Sequence, residues 1–135
     1  MNYWLMKTEP DVFSWDDLVT KGPSAWDGVR NYAARNNLRA MKKGDKVLIY
    51  HSNIGKEVVG ISVVTKEHFP DPTTTDERWL AVQVKAEKKF KKTVELSTIK
   101  STPSLQKMMI VTHSRLSVMP VSAEHYHLLC EMGGL

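Results

Sequence analysis

Several short stretches set polar or aromatic side chains directly beside apolar segments, where they could do chemistry. In Tyr3–Glu9 a period of two puts Tyr3, Leu5, Lys7 and Glu9 on one face and Trp4, Met6 and Thr8 on the other. A lysine entering a core strand is costly unless it is paired or used. Lys7 therefore has two possible roles: a salt bridge to Glu9 or another acid, or a donor to a ligand carbonyl or phosphate. In Trp26-Asp27-Gly28-Val29-Arg30-Asn31, an aromatic plane, a flexible glycine, a forked cation and an amide fall within six residues. Trp26 can simply plug the core. The same set is also what a base-binding pocket needs: a ring to stack on a nucleobase and polar groups to read its edge or hold a phosphate. Tyr50-His51-Ser52 ends an apolar run, so three hydrogen-bonding side chains emerge at a strand end. Gly60 lies mid-strand and leaves room for a close approach.

Other chemistries are poorly served. Of the five histidines, only His125 and His127 are close in sequence, and that spacing points them to different faces of a helix. With no thiol pair and no His-x-x-x-His, a metal site is not expected. The single cysteine, Cys130, sits beside Leu128, Leu129 and Met132 and reads as a structural thiol. No Gly-rich phosphate loop, nucleophile elbow or dinucleotide fingerprint occurs, so no cofactor is expected.

The 135 residues, 41% hydrophobic and 25% charged, suit one globular domain with a real core, residues 1–135. Apolar residues recur throughout and Gly and Pro are few, which excludes a low-complexity chain. Apolar runs such as Val47–Tyr50 are far shorter than the roughly 20 residues of a bilayer-spanning helix, so no membrane partner is expected. No basic-then-apolar leader is apparent, and one unpaired cysteine fits a reducing compartment; the expected location is the cytoplasm. The net charge is +4, concentrated in Lys85, Lys88, Lys89, Lys91 and Lys92 and in Arg30, Arg35, Arg39, Lys42 and Lys43. Each cluster alone reads as a solvated surface. Two of them in a small domain with four Trp, four Tyr and three Phe make nucleic acid the leading partner class.

These residues need a scaffold. Tyr3–Thr8 reads as a strand, and Ser14 with Asp17 has the spacing of a capping box that starts a short helix broken at Gly22-Pro23. A loop around Gly28 leads to a helix over Asn31–Met41, and Lys43-Gly44-Asp45 forms a turn. Strands follow at Lys46–His51, Val58–Thr65 and Trp79–Glu87, with a further short one at Val94–Leu96. Pro103 opens a helix over Ser104–Met109, Arg115–Val121 is the last strand, and Ser122 caps a closing helix that stops at Gly133. The expected fold is α+β: five or six mostly antiparallel strands closing into a small barrel, with flanking helices.

Tyr3-Trp4-Leu5-Met6-Lys7-Thr8-Glu9-Pro10, Trp26–Tyr32, Ala34–Leu38, Gly44-Asp45, Tyr50–Asn53, Val59–Ile61, Phe69–Thr73, Trp79 and Arg115–Val121 resemble, in order and along essentially the whole chain, the EVE domain family. The resemblance implies a PUA-like β pseudo-barrel, related to the YTH readers of methylated adenine. It also implies binding of a modified nucleobase, notably a modified cytosine, flipped into an aromatic pocket of DNA- or RNA-binding character. Carried over, the ligand-binding set is Lys7 and Thr8; Trp26, Arg30 and Asn31; and Tyr50, His51 and Ser52. Phe69, Trp79, Arg115, Leu116 and Ser117 are its implied rim. The loop Asn53-Ile54-Gly55-Lys56-Glu57 departs from the family in lacking a proline, which leaves its shape open.

The resemblance implies a non-catalytic reader. A flipped base costs a few kcal/mol, which stacking and edge hydrogen bonds must offset. The alternative is a hydrolase of modified nucleosides similar to the ASCH group of PUA-like proteins, with Lys7, Thr8 and Glu9 as its polar set. Their adjacency on one strand works against it, because Thr8 faces away from the other two.

Overall fold

A computed structural model describes residues 1–135. The chain runs β1 (Tyr3–Thr8), α1 (Trp15–Lys21), β2 (Ser24–Trp26), α2 (Tyr32–Ala40), β3 (Lys46–His51), β4 (Glu57–Pro70), β5 (Leu80–Glu95), α3 (Leu96–Ser101), a 3₁₀ turn (Pro103–Leu105), α4 (Met109–Thr112), β6 (Val118–Val121) and α5 (Ala123–Met132). The six strands form one sheet in the order β2-β5-β4-β3-β1-β6. β1 and β3 are parallel, from Tyr3 opposite Lys46 to Thr8 opposite His51; the other four pairings are antiparallel. The mixed α+β class and the mostly antiparallel sheet match the expectation, but closure does not. β2 and β6 stand at opposite ends without pairing, so the sheet is open.

β1 and β3 lie inside the sheet, and their apolar runs are buried residue after residue: Trp4, Leu5 and Met6, then Val47, Leu48, Ile49 and Tyr50. Consecutive burial means that both faces are covered, which a period-two pattern would not have produced. α2 packs on β4, β5 and β6, while α1, α3 and α5 pack on β5. Asp45, buried beside β3, accepts hydrogen bonds from the Trp4 indole (3.0 Å) and from the amides of Asn2 (3.1 Å) and Lys42 (3.0 Å). Those bonds tie the turn before β3 to the start of β1.

The helix starts follow from side-chain chemistry. The Ser14 hydroxyl accepts from the Asp17 amide and Asp17 accepts from the Ser14 amide, a complete capping box. Asn31 caps α2 through Ala34, and Ser122 caps α5 through His125. Five sequence assignments change. β4 and β5 run to 14 and 16 residues through several register shifts, and Val94–Glu95 is the end of β5 rather than a separate strand. Leu96 opens a helix. The segment expected as a helix over Ser104–Met109 is a 3₁₀ turn followed by α4, and Arg115–Ser117 is loop, with β6 starting only at Val118. No helix is long and apolar enough to cross a membrane.

Candidate functional site

The end of β1 opens into a cleft of about 410 Å³ lined by Lys7, Thr8, Glu9, Val12, Phe13, Lys21, Ala25, Trp26 and Asp27. Its size lies in the roughly 300–1,000 Å³ range of small-molecule sites. Two aromatic rings build one wall: Phe13 meets Trp26 edge-on, with centroids 5.9 Å apart and planes at 81°. The Lys21 ammonium lies 5.8 Å from the Phe13 ring centre. Trp26 is 8% exposed, so it offers a limited part of its ring to the cleft and the rest to the core.

Lys7 makes no ion pair. Its ammonium donates to the Ser114 carbonyl at 3.0 Å, and burial pulls its pKa below the usual lysine value. Two of its three N–H groups remain for a ligand. Glu9 accepts from the Asn53 side-chain amide through one oxygen (2.9 Å), which leaves the other free. Asn53 and Lys56 both adopt positive φ (64° and 49°) beside Gly55 (88°), and this gives the 53–57 loop its shape. The Thr8 hydroxyl donates to the Phe13 carbonyl at 2.6 Å, so its proton is committed to holding the cleft wall.

The other residues expected in a single pocket separate into three places. Tyr50 is buried, and burial raises its phenol pKa; His51 accepts at Nε2 from the Trp15 amide (3.0 Å); and the Ser52 amide donates to the Thr8 carbonyl (2.9 Å). None of the three lines the cleft; His51 and Ser52 instead hold α1 and the end of β1 through these bonds. Arg30 turns to the fully buried Asp71 carboxylate (2.9 Å) and to Thr73 (3.2 Å), with its guanidinium 5.6 Å from the Trp79 ring centre. Trp79 itself stacks on Tyr32 at 5.2 Å, and Phe69 lies under the Lys66 ammonium at 4.8 Å.

A second cleft, of about 640 Å³, takes Asn31, Arg115 and Leu116, together with Ala33, Asn36, Asn37, Met109, His113, Ser114 and Pro120. Ser117 follows Leu116 in the chain but is outside the lining, and its carbonyl accepts from the Lys7 amide (2.9 Å). Val12, Phe13, Lys21 and Ala25 line the first cleft without any signal in the sequence that marks them for it. Phe13 is the residue before a helix cap, a position that normally marks only a helix entry, and the cleft exists because that entry lies against β1.

Two further reactive side chains, His127 and Cys130, lie in packed surroundings. His127 lies edge-on to Tyr3 and Tyr126, with centroids 5.6 and 5.4 Å away. Burial pushes the Cys130 thiol pKa up although Tyr126 bonds to it and Lys88 is near.

An EVE domain model matches residues 2–132. Mouse thymocyte nuclear protein 1 is 34% identical, over 97% of this chain and 73% of its own. A protein of Agrobacterium tumefaciens has a solved structure with a TM-score of 0.98 and 48% identity, over 100% of this chain and 94% of that one. Human THYN1, solved in complex with DNA containing 5-methylcytosine, superposes with a TM-score of 0.92 at 31% identity, over 100% of this chain and 99% of that one. The YTH domain of the Zygosaccharomyces rouxii MRB1 protein, solved with N6-methyladenosine RNA, shares the fold (TM-score 0.62, 14% identity, 98% and 86% covered). With the family model spanning nearly its whole length and the same fold throughout, this chain belongs to the EVE domain family.

Proposed function

We propose that the protein is a non-catalytic reader of nucleic acid that takes a modified base, in the first instance a modified cytosine, into the first cleft. The observation that carries this reading is the lining of that cleft: an aromatic wall of Trp26 and Phe13 with a half-buried lysine and a free carboxylate oxygen at its mouth residues Lys7 and Glu9. Human THYN1, similar along the full chain, is solved on methylated DNA, which supports the same partner class here.

The chemistry fits a cytosine edge. Its exocyclic amine donates, which a carboxylate such as Glu9 accepts, while its ring nitrogen and carbonyl accept from an ammonium such as Lys7. A methyl group would fill apolar space beside the rings. A pocket that leaves neither polar group unpaired discriminates more strongly than apolar contact alone. The hydrolase reading finds less support, since the Thr8 hydroxyl proton is held by the Phe13 carbonyl and is not shared with Lys7 or Glu9.

The deciding experiment is a tryptophan-fluorescence titration at fixed moderate salt. The ligands are oligonucleotides, in DNA and in RNA, carrying cytosine, 5-methylcytosine, 5-hydroxymethylcytosine, N4-acetylcytosine or N6-methyladenine at one position. Quenching that depends on one modification is expected. Equal, salt-sensitive binding of all of them would overturn the reading, and release of a base-derived product would favour the hydrolase.

A further inference from the structure

The second cleft has the chemistry of a nucleotide-backbone site. None of its lining residues is acidic, whereas the first cleft holds Glu9 and Asp27. Arg115 is exposed and has no carboxylate partner. Asn36 adds an exposed amide, and half-buried Met109 adds apolar surface against which a sugar or base face can lie. A guanidinium free of internal pairing suits a phosphate, because binding forfeits no existing ion pair.

The two clefts are also joined. Lys7 lines the first and Ser114 the second, and the Lys7 ammonium bonds to the Ser114 carbonyl at 3.0 Å. The Lys7 amide bonds in turn to the Ser117 carbonyl at 2.9 Å, so the Arg115 loop is fixed to β1 on both sides of Arg115. This shared wall gives a strand with one base in the first cleft a direct route to the second. We infer that the second cleft receives the nucleotide next to the recognised one on the same strand, with Arg115 on its phosphate. This rests on the reader function proposed above and adds to it a backbone contact that sets the position of the base without reading its identity.

The test pairs wild type and Arg115→Ala with duplexes that carry one 5-methylcytosine and a neutral methylphosphonate at one flanking phosphate at a time. In the wild type, one such substitution weakens binding several-fold. In Arg115→Ala the same substitution has no further effect, because the contact is already gone. The variant weakens methylated and unmethylated duplexes by the same factor and lowers the slope of log affinity against log salt by about 1. Losses that simply multiply at every phosphate, or an unchanged slope, would overturn the inference. Loss of methyl preference in the wild type would instead overturn the reader function, and the slope comparison on unmodified DNA still supports or overturns the Arg115 contact.

Discussion

The six-membered ring of Trp15 occupies the space that a side chain at Gly60 would need. A Cβ at Gly60 would stand 2.6 Å from the ring, closer than packed carbons ever come. Trp15 is the first residue of α1, and its amide donates to His51 Nε2, so the glycine in β4 lets α1 seat against β3 and β4. Gly60→Ala is therefore expected to destabilise the fold by about 1–3 kcal/mol through overpacking. Urea unfolding monitored by Trp fluorescence checks this. A midpoint equal to that of wild type would mean that the ring can step aside at no cost.

Asp71 fastens two loops together. Its buried carboxylate accepts from the Gly28 amide (2.8 Å), Arg30 (2.9 Å) and both the amide (2.7 Å) and hydroxyl (2.6 Å) of Thr73. Burial by itself would raise its pKa, but these bonds outweigh burial and bring it down from 3.8 to about 2. A carboxylate depressed in the folded state stabilises above its unfolded pKa and loses that contribution as pH falls from 3.8 toward about 2. Asp71→Asn is expected to cost about 1–3 kcal/mol at neutral pH, and the gap to wild type narrows below about pH 4. A gap that stays constant down to the acid limit would show that the charge contributes nothing.

His51 works in the opposite pH range. Burial lowers its pKa, against the opposing fields of Glu57 and Asp16, and its Nε2 is occupied as an acceptor, which requires the neutral ring. The unfolded chain therefore takes up the proton first, so this contribution is complete above about pH 6.5 and declines as pH falls below it. His51→Gln should flatten the fall in unfolding midpoint between about pH 7.5 and 5.5 relative to wild type. The difference between the two profiles isolates this ring from the other four histidines; parallel profiles would sink the assignment.

Local chemistry was readable where one side chain determines the outcome. Ser14 with Asp17 and Ser122 start their helices as their types and spacing require, whereas Asn31, expected inside its helix, is the cap before it. β1 and β3 were readable because apolar runs bounded by polar residues have few alternatives. What was not readable depends on partners distant in sequence. The Lys85–Lys92 stretch of β5 carries five lysines and reads as a solvated hairpin, yet its backbone pairs with β4 through shifts that break the period of two. β2 is three residues long and exists only because β5 lies beside it. Leu96–Ser101 has no side-chain cap at Glu95 and contains Thr98 and Ile99, so nothing local favoured a helix. The scattered site has the same cause: Arg30 faces Asp71 rather than Trp26 because the 71–73 loop offers a buried acid, which no spacing within Trp26–Asn31 reveals.

Binding tests of the first cleft must separate ligand contact from packing. Trp26 belongs to the buried core, so Trp26→Ala is expected to cost roughly 3–5 kcal/mol of stability whatever the ring does for a ligand. Trp26→Phe keeps an aromatic face and is the informative partner. It should fold and retain part of the stacking contribution of about 1–3 kcal/mol.

Lys7 allows a cleaner test, because its bond partner Ser114 is exposed and water can replace the lost donor. Lys7→Met keeps the apolar stem and removes only the ammonium, so stability should change by less than about 1 kcal/mol. If the ammonium reads the base edge inside the cleft, the variant loses discrimination between modified and unmodified DNA, and raising the salt does not erase the difference from wild type. If Lys7 serves only as a surface cation, the loss is equal for both DNAs and fades as salt rises, since screening weakens exposed charges far more than half-buried ones. The expected result is the first, because Lys7 is half-buried with its pKa drawn down and stands in the lining between Thr8 and Glu9. The second would move the site of base recognition away from β1.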